Sequence, residues 1–347
     1  ASIGMAFWNH RMFLLTGDAA YLDVMERVMY NGALAGVSLD GTLFFYPNPL
    51  ESDGKYRFNK GRAGRAPWFG VACCPGNVSR FLPSVPGYVY ATRGDALYVS
   101  LFIAGEAKID IDGQAVTIKQ ETRYPWDGKA VLTVEPERTT KFTLYLRIPG
   151  WARYRPVPAD LYAYPERRDT TVSIRINGKT VVLDMDKGFA RVRRAWKKGD
   201  RVEIEFPMDV RRVVAHPAVK DDAGFVAVER GPLVYCAEAA DNGGRALNIV
   251  LPDGAALTAE ERAGLLGGIV VLKGEALAAD PAAVSRIRDA EGKDAAADDE
   301  EEAPPASLRV LAPGAALKPH PLVLIPYYAW AHRGAGEMSV WLFKRPT

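Results

Sequence analysis

The sequence predicts a multidomain α + all-β protein, helical to about Gly87 and then built as two β-sandwiches, residues 88–215 and 216–347. Three observations support this. Ile3, Ala6, Phe7, Phe13 and Leu14, and then Tyr21, Val24, Met25, Val28 and Met29, recur at helical spacing. At Tyr88 the period shortens to two and stays there. From there on, short turns such as Arg93-Gly94-Asp95 and Asp112-Gly113 separate many short strands, the pattern of sandwiches.

Residues 2–15 form the first predicted helix. Gly17 closes it, and Asp18 is placed as the N-cap of a second helix over 19–35. Glu26 falls in the middle of that helix, where a solvated charge is the default unless its face lines a cavity. Leu43 to Glu51 is a short apolar run closed by Pro47 and Pro49, followed by a polar loop from Ser52 to Arg65. Loops of that length without structure of their own are usually functional or mobile. Beyond Cys73-Cys74-Pro75-Gly76, Asn77 is placed to cap a third helix, Val78 to Ser84, which Pro83 and Pro86-Gly87 end.

Strands are expected at 88–90, 96–103, 115–119, 130–135, 141–147, 173–177, 189–192 and 201–206. The Asn177-Gly178 pair marks a tight hairpin. A second run is expected at 210–214, 224–229, 233–236, 249–251, 308–311, 322–326 and 338–343. Between them, Ala278 to Pro305 is rich in Ala and acid, with the run Asp298 to Glu302, and is expected to be a solvated, poorly ordered insertion.

Composition excludes some classes. With 44 basic and 42 acidic side chains, net charge +2, there is no electrostatic case for nucleic acid or an anionic membrane surface. No apolar run approaches the roughly 18 residues that span a bilayer. Three cysteines make no disulfide framework, and a reducing compartment such as the cytoplasm suits them. The chain opens on Ala1-Ser2-Ile3-Gly4, which reads as the interior of an apolar helix. Three helices are too few to bury such faces alone, so we expect a fragment whose preceding residues are missing.

The chemistry concentrates at Cys73-Cys74. A thiolate is a strong nucleophile and a soft metal ligand. A helix N-terminus nearby favours that ionised form. Free cysteines are also common as small buried hydrophobes, and adjacent ones lack the usual C-x-x-C metal spacing. Cys236, on a strand, fits the core reading. Tyr46 and Trp68 stand in loops flanking the pair, where aromatics often simply pack.

These segments resemble glycoside hydrolase family 127, the β-L-arabinofuranosidases and their relatives. The resemblance runs through Ser2-Ile3-Gly4 with Trp8-Asn9, Val24-Met25-Glu26-Arg27, Tyr46-Pro47-Asn48-Pro49-Leu50 and Cys73-Cys74-Pro75. It continues with Tyr124-Pro125-Trp126-Asp127-Gly128, Arg147-Ile148-Pro149-Gly150-Trp151, Arg230-Gly231-Pro232 and Leu324-Ile325-Pro326-Tyr327-Tyr328-Ala329-Trp330. It implies an (α/α)6 barrel whose C-terminal helices and site loops are residues 1–87, followed by β-sandwich domains. It also implies zinc held by one Glu and three Cys, with Cys73 as nucleophile and zinc ligand and Cys74 as a second ligand. The remaining ligands and the general acid/base are expected before Ala1. Glu26, Tyr46 and Trp68 are then the substrate-binding candidates. The implied activity is retaining exo-hydrolysis releasing L-arabinofuranose, with the fragment alone inactive. The alternative is a non-catalytic fragment that binds carbohydrate, or forms a homodimer, through its β region.

Overall fold

A computed structural model describes residues 1–167, 170–288 and 307–345. The chain is mostly β-structure with few helices. It divides into two compact units, Ala1–Tyr30 with Ser79–Asp209, and Asn31–Val78 with Val210–Thr347. The segment carrying the two adjacent cysteines therefore groups with the C-terminal strands.

In the first unit, the helix Ser2–Thr16 ends on Gly17 in the left-handed conformation, whose amide donates to the Phe13 carbonyl. Asp18 then caps the helix Ala19–Arg27 by accepting from the Ala20 amide at 2.8 Å. That helix continues not as α but as a π-helical segment, Val28–Ala33. Two sheets follow. One runs Lys179–Thr180, Ser173–Ile176, Asp200–Glu205, Lys129–Pro136, Gln114–Thr122, Gly105–Ile111. The other runs Met185–Asp186, Phe189–Trp196, Thr140–Arg147, Ala96–Val99, Tyr90–Arg93. Their inward residues form one core, Leu97, Val99, Phe142 and Leu144 from one sheet and Val116, Ile118, Leu132 and Val202 from the other. The Asn177-Gly178 turn, with both residues at positive φ, closes the expected hairpin at Ile176↔Lys179.

A charged cluster ties the second helix to these sheets. Arg147 is fully buried and donates from Nε to the Ser100 carbonyl (2.7 Å) and from Nη1 to Asp23 (2.9 Å). Its Nη2 meets Glu26, which also accepts from the Tyr124 hydroxyl at 2.7 Å. Glu26 is 1% exposed, so the solvated default fails. Its carboxylate is engaged by an arginine and a tyrosine distant in sequence. Asp23 also receives Arg153 at 3.1 Å, and a Cβ on Gly150 would stand 2.7 Å from its Oδ2, so only glycine fits there.

In the second unit the sheet runs Glu51–Asp53, Glu337–Ser339, Leu233–Glu238, Leu317–Pro326, Ile269–Ala279, Ile249–Leu251, Leu342–Lys344, Phe225–Arg230, Val210–Ala215. Leu233–Glu238 also pairs with Phe225–Arg230, so the pairing closes into a circuit. This is one sheet turned back on itself, where the sequence led us to expect two facing sheets. Its long strand Ile269–Ala279 was not anticipated. Gly274 lies within it because a Cβ there would stand 2.3 Å from the Ala256 carbonyl oxygen. The expected insertion from Ala278 is also corrected in part. Ala278 and Ala279 end that strand, and Val284–Arg288 pairs with Ser307–Leu311. The acidic run Asp298 to Glu302 lies outside the described residues.

Two outcomes follow from the buried cluster. Arg147→Met leaves Glu26 without its cation and Asp23 with Arg153 alone, and should destabilise the chain by about 3–5 kcal/mol in denaturant unfolding; a loss below about 1 kcal/mol contradicts the role assigned. Burial, the largest influence, pushes the Asp23 carboxyl up to about 6 against the pull of Arg147 and Arg153. A carboxyl raised in the folded state contributes stability below its unfolded value, and that contribution is lost as pH rises through about 6. Wild type relative to Asp23→Asn should therefore lose stability between pH 4 and 6, by no more than about 1.4 kcal/mol per pH unit. A rise over that window contradicts it.

Candidate active site

The two sulfurs stand in the first turn of the helix Cys73–Ser84. The helix begins five residues earlier than the sequence suggested. Gly76 donates to the Ala72 carbonyl at 3.2 Å, closing the first turn. Pro75 is tolerated because amides in a first turn have no helical partner. Asn77 is therefore not the cap: it lies inside the helix and its side chain donates to the Cys73 carbonyl at 2.8 Å. Cys73 is exposed and Cys74 half-buried, with their Sγ atoms 3.8 Å apart.

One residue addresses both sulfurs. The Tyr46 hydroxyl lies 3.5 Å from Cys73 Sγ, and the Cys74 thiol donates to the Tyr46 carbonyl at 3.6 Å. The hydroxyl, donating to the thiolate, is the largest influence holding Cys73 below the usual thiol range. Burial, reinforced by Cys73, pushes Cys74 up to about 11. The pair is thus split, one thiol's pKa lowered and the other's raised.

Tyr46 is itself fixed by Asn59, which is fully buried. The Asn59 carboxamide accepts from the Tyr46 amide (2.7 Å) and donates to the carbonyls of Gly64 (2.8 Å) and Phe44 (3.2 Å). Phe44 and Ala66 exchange backbone hydrogen bonds. The stretch expected to be a free polar loop is therefore braced. Arg65, at the end of that loop, is buried. It donates to the carbonyls of Trp330 and Ala35, both at 2.9 Å, and lies over the Phe45 ring. Phe45 stacks on Trp330 at 5.1 Å, so this segment is seated on the C-terminal strands of its own unit.

The structure brings Tyr46, Cys73 and Cys74 together. Phe69 meets the Tyr46 ring edge-on, and Lys60 Nζ stands 4.8 Å from its centroid. Trp68 is 63% exposed, with its ring open to solvent. Glu26 belongs to the first unit, in the Arg147 cluster. Cys236 is buried in a strand, its thiol pushed well above the usual range by burial. Asn59 and Lys60 were missed by sequence reasoning; a polar loop of that length gave no sign of which member turns inward.

Tetrahedral zinc with bonds of about 2.3 Å to sulfur sets two sulfurs about 3.8 Å apart. Cys73 and Cys74 have that separation and both are reachable, so they fit two positions of such a site. Among the described residues no group of three or more His, Cys, Asp or Glu gathers as a metal site.

A mostly β chain bearing a braced pair of accessible thiols on a helix start defines a thiol-centred site. The chain belongs to glycoside hydrolase family 127: residues 1–87 match the model for that family's β-L-arabinofuranosidase catalytic domain, 96–208 its middle domain and 210–343 its C-terminal domain. It is 35% identical, over 98% of its length, to a non-reducing end β-L-arabinofuranosidase of Bifidobacterium longum subsp. longum. It spans about half of that relative, 48% of its length. A solved β-arabinofuranosidase of the family superposes with a TM-score of 0.84 at 44% identity, over 99% of this chain and 48% of the other. A β-L-arabinofuranosidase from Geobacillus stearothermophilus T6 gives 0.80 at 40% identity, over 99% and 49%.

Removing the Tyr46 hydroxyl should raise the Cys73 thiol's pKa. In metal-free protein, Tyr46→Phe should slow iodoacetamide alkylation of Cys73 at neutral pH by about two- to ten-fold. Cys74, which meets only the carbonyl, should change little. Equal or faster alkylation of Cys73, followed by mass spectrometry, contradicts the assignment.

Proposed function

We propose that this chain contributes the nucleophile to a retaining exo-glycoside hydrolase that releases L-arabinofuranose from β-L-arabinofuranosides. The observation that carries the reading is the paired, accessible thiols within the segment matched by the family's catalytic domain. The substrate class follows from the names of the relatives.

In this mechanism the Cys73 thiolate attacks the anomeric carbon. The carbon–sulfur bond forms as the glycosidic carbon–oxygen bond breaks, and an acid gives the departing oxygen its proton. Water then attacks the same carbon from the opposite side, a base takes its proton, and sulfur leaves as thiolate. Two inversions give retention. Most retaining glycosidases use a carboxylate as nucleophile. Here the Tyr46 hydroxyl favours the ionised sulfur, and the exposed Trp68 ring would stack on the sugar. Zinc bound by Cys73 and Cys74 would keep both sulfurs deprotonated. The resemblance gives zinc two thiols of this chain and assigns the acid/base role to no carboxylate in it, so the 347-residue chain alone should bind zinc weakly and turn over no arabinofuranoside. The (α/α)6 barrel belongs to the same proposal, with residues 1–87 as its last helices and site loops.

In the protein as its own cell makes it, Cys73→Ala should lower β-L-arabinofuranoside hydrolysis by about a thousand-fold or more, with Cys73→Ser no better than about a hundredth of wild type. Activity that survives Cys73→Ala rules out this nucleophile.

A further inference from the structure

The stretch that leads to the thiols is charged in one sense only. Lys55, Arg57, Lys60, Arg62 and Arg65 fall between Asp53 and the two cysteines, and no Asp or Glu follows Asp53 until Asp95. The chain as a whole is nearly balanced, so the asymmetry is local. The two carboxylates that precede the stretch are already engaged. Glu51 meets Arg286 and Arg309, with Arg309 Nε at 3.3 Å. Asp53 accepts from the amides of Lys55 and Tyr56, both at 2.8 Å. Arg65 is buried against carbonyls, whereas Lys55, Arg57, Lys60 and Arg62 are exposed.

Lys60 is the cation that the backbone carries to the thiols. Asn59 and Arg62 exchange backbone hydrogen bonds, at 2.8 and 3.2 Å, around Lys60 and Gly61. Those two residues stand at φ 51° and 81°. Two left-handed residues inside such a pair of bonds make a tight turn for which Asn and Gly are the relaxed choices. A lysine in the first position is held in a conformation that costs free energy, and glycine would adopt it without that cost. The turn is also anchored, because the buried Asn59 carboxamide is bonded to the backbone of Tyr46, Phe44 and Gly64.

An exposed lysine is ordinarily only solvated. Here a strained turn on a buried brace holds the side chain over the Tyr46 ring, with Nζ 4.8 Å from the centroid. The hydroxyl of that ring lies 3.5 Å from Cys73 Sγ. One tyrosine therefore separates the ammonium from the proposed nucleophile. A cation fixed there, in a stretch without carboxylates, favours negative charge on whatever occupies the site. The sugar to be cleaved is neutral, so the charge would lie on the group that departs. A carboxylate is the anion of acidic saccharides, and the compact ammonium meets it as a point charge.

We propose that Lys60 is a specificity-determining residue of this site, favouring arabinofuranosides whose departing group carries a carboxylate, as a uronic acid does. The inference deepens the proposed function and rests on it.

The test uses the protein as its own cell makes it and two synthetic substrates, the 4-carboxybutyl and 4-carbamoylbutyl β-L-arabinofuranosides. They differ in charge and hardly in the basicity of the leaving oxygen. At low ionic strength, kcat/KM for the carboxylate should exceed that for the amide by about three- to five-fold, the upper range for an exposed ion pair. The advantage should shrink as added salt screens it. Lys60→Gln should bring the ratio below about two, and Lys60→Arg, which keeps the charge, should retain it. A ratio near one in wild type overturns the inference. So does a ratio unchanged in Lys60→Gln, whether both rates hold or both fall through a displaced Tyr46. Equal cleavage of the two glycosides leaves the proposed function standing without this preference, whereas cleavage of neither removes both.

Discussion

A guanidinium taken out of water must be met on every side, and this chain depends on that constraint. Arg147 is fully buried and joins a sheet strand to a helix that has no core of its own to lie on. Asp23 and Glu26 lie on one helix, Tyr124 and Gly150 on loops between strands, and each has the shape the guanidinium or its partners require. The pattern recurs in the other unit. Arg65 fixes the thiol-bearing segment to the carbonyl of Trp330, and Arg309 fixes a strand pair to the carbonyl of Leu247. Buried pairs of this kind are costly to break rather than generous in net stability. Their effect is to specify which segments meet.

That specification gives the site its asymmetry. Two adjacent thiols in a row would otherwise share one environment. Tyr46 separates them, presenting a hydroxyl to one sulfur and a carbonyl to the other. Adjacent residues on a helix point in different directions, and here one faces solvent while its neighbour turns inward. A sulfur that is to react needs reach; its neighbour needs only to be fixed.

Signals local in sequence were legible from it. The cap at Asp18, the turn at Asn177-Gly178 and the change of period at Tyr88 rest on a few neighbouring residues, and the structure has the first two where they were expected. What failed depended on distant partners. Glu26 looks like a solvated charge until Arg147, 121 residues away, and Tyr124, 98 residues away, are placed beside it. The strand Ile269–Ala279 was hidden because Lys273, Gly274 and Glu275 interrupt its apolar run, and Gly274 is set by the close approach of the Ala256 carbonyl. The π-helical turn at Val28–Ala33 was invisible because its extra residue per turn leaves the apolar spacing before it unchanged. At the site, the cysteines and Tyr46 were legible as reactive and aromatic types, whereas Asn59 was one polar residue among many.

Asn59 bears on binding as well as on shape. Three hydrogen bonds from one buried carboxamide make the Phe44–Ala66 stretch a single braced piece. Fixing a residue's backbone costs about 1–2 kcal/mol of conformational entropy. Here that cost is incurred when the chain folds, so a molecule arriving at the thiols does not have to order the surrounding stretch. A site ordered in advance trades breadth of partners for affinity.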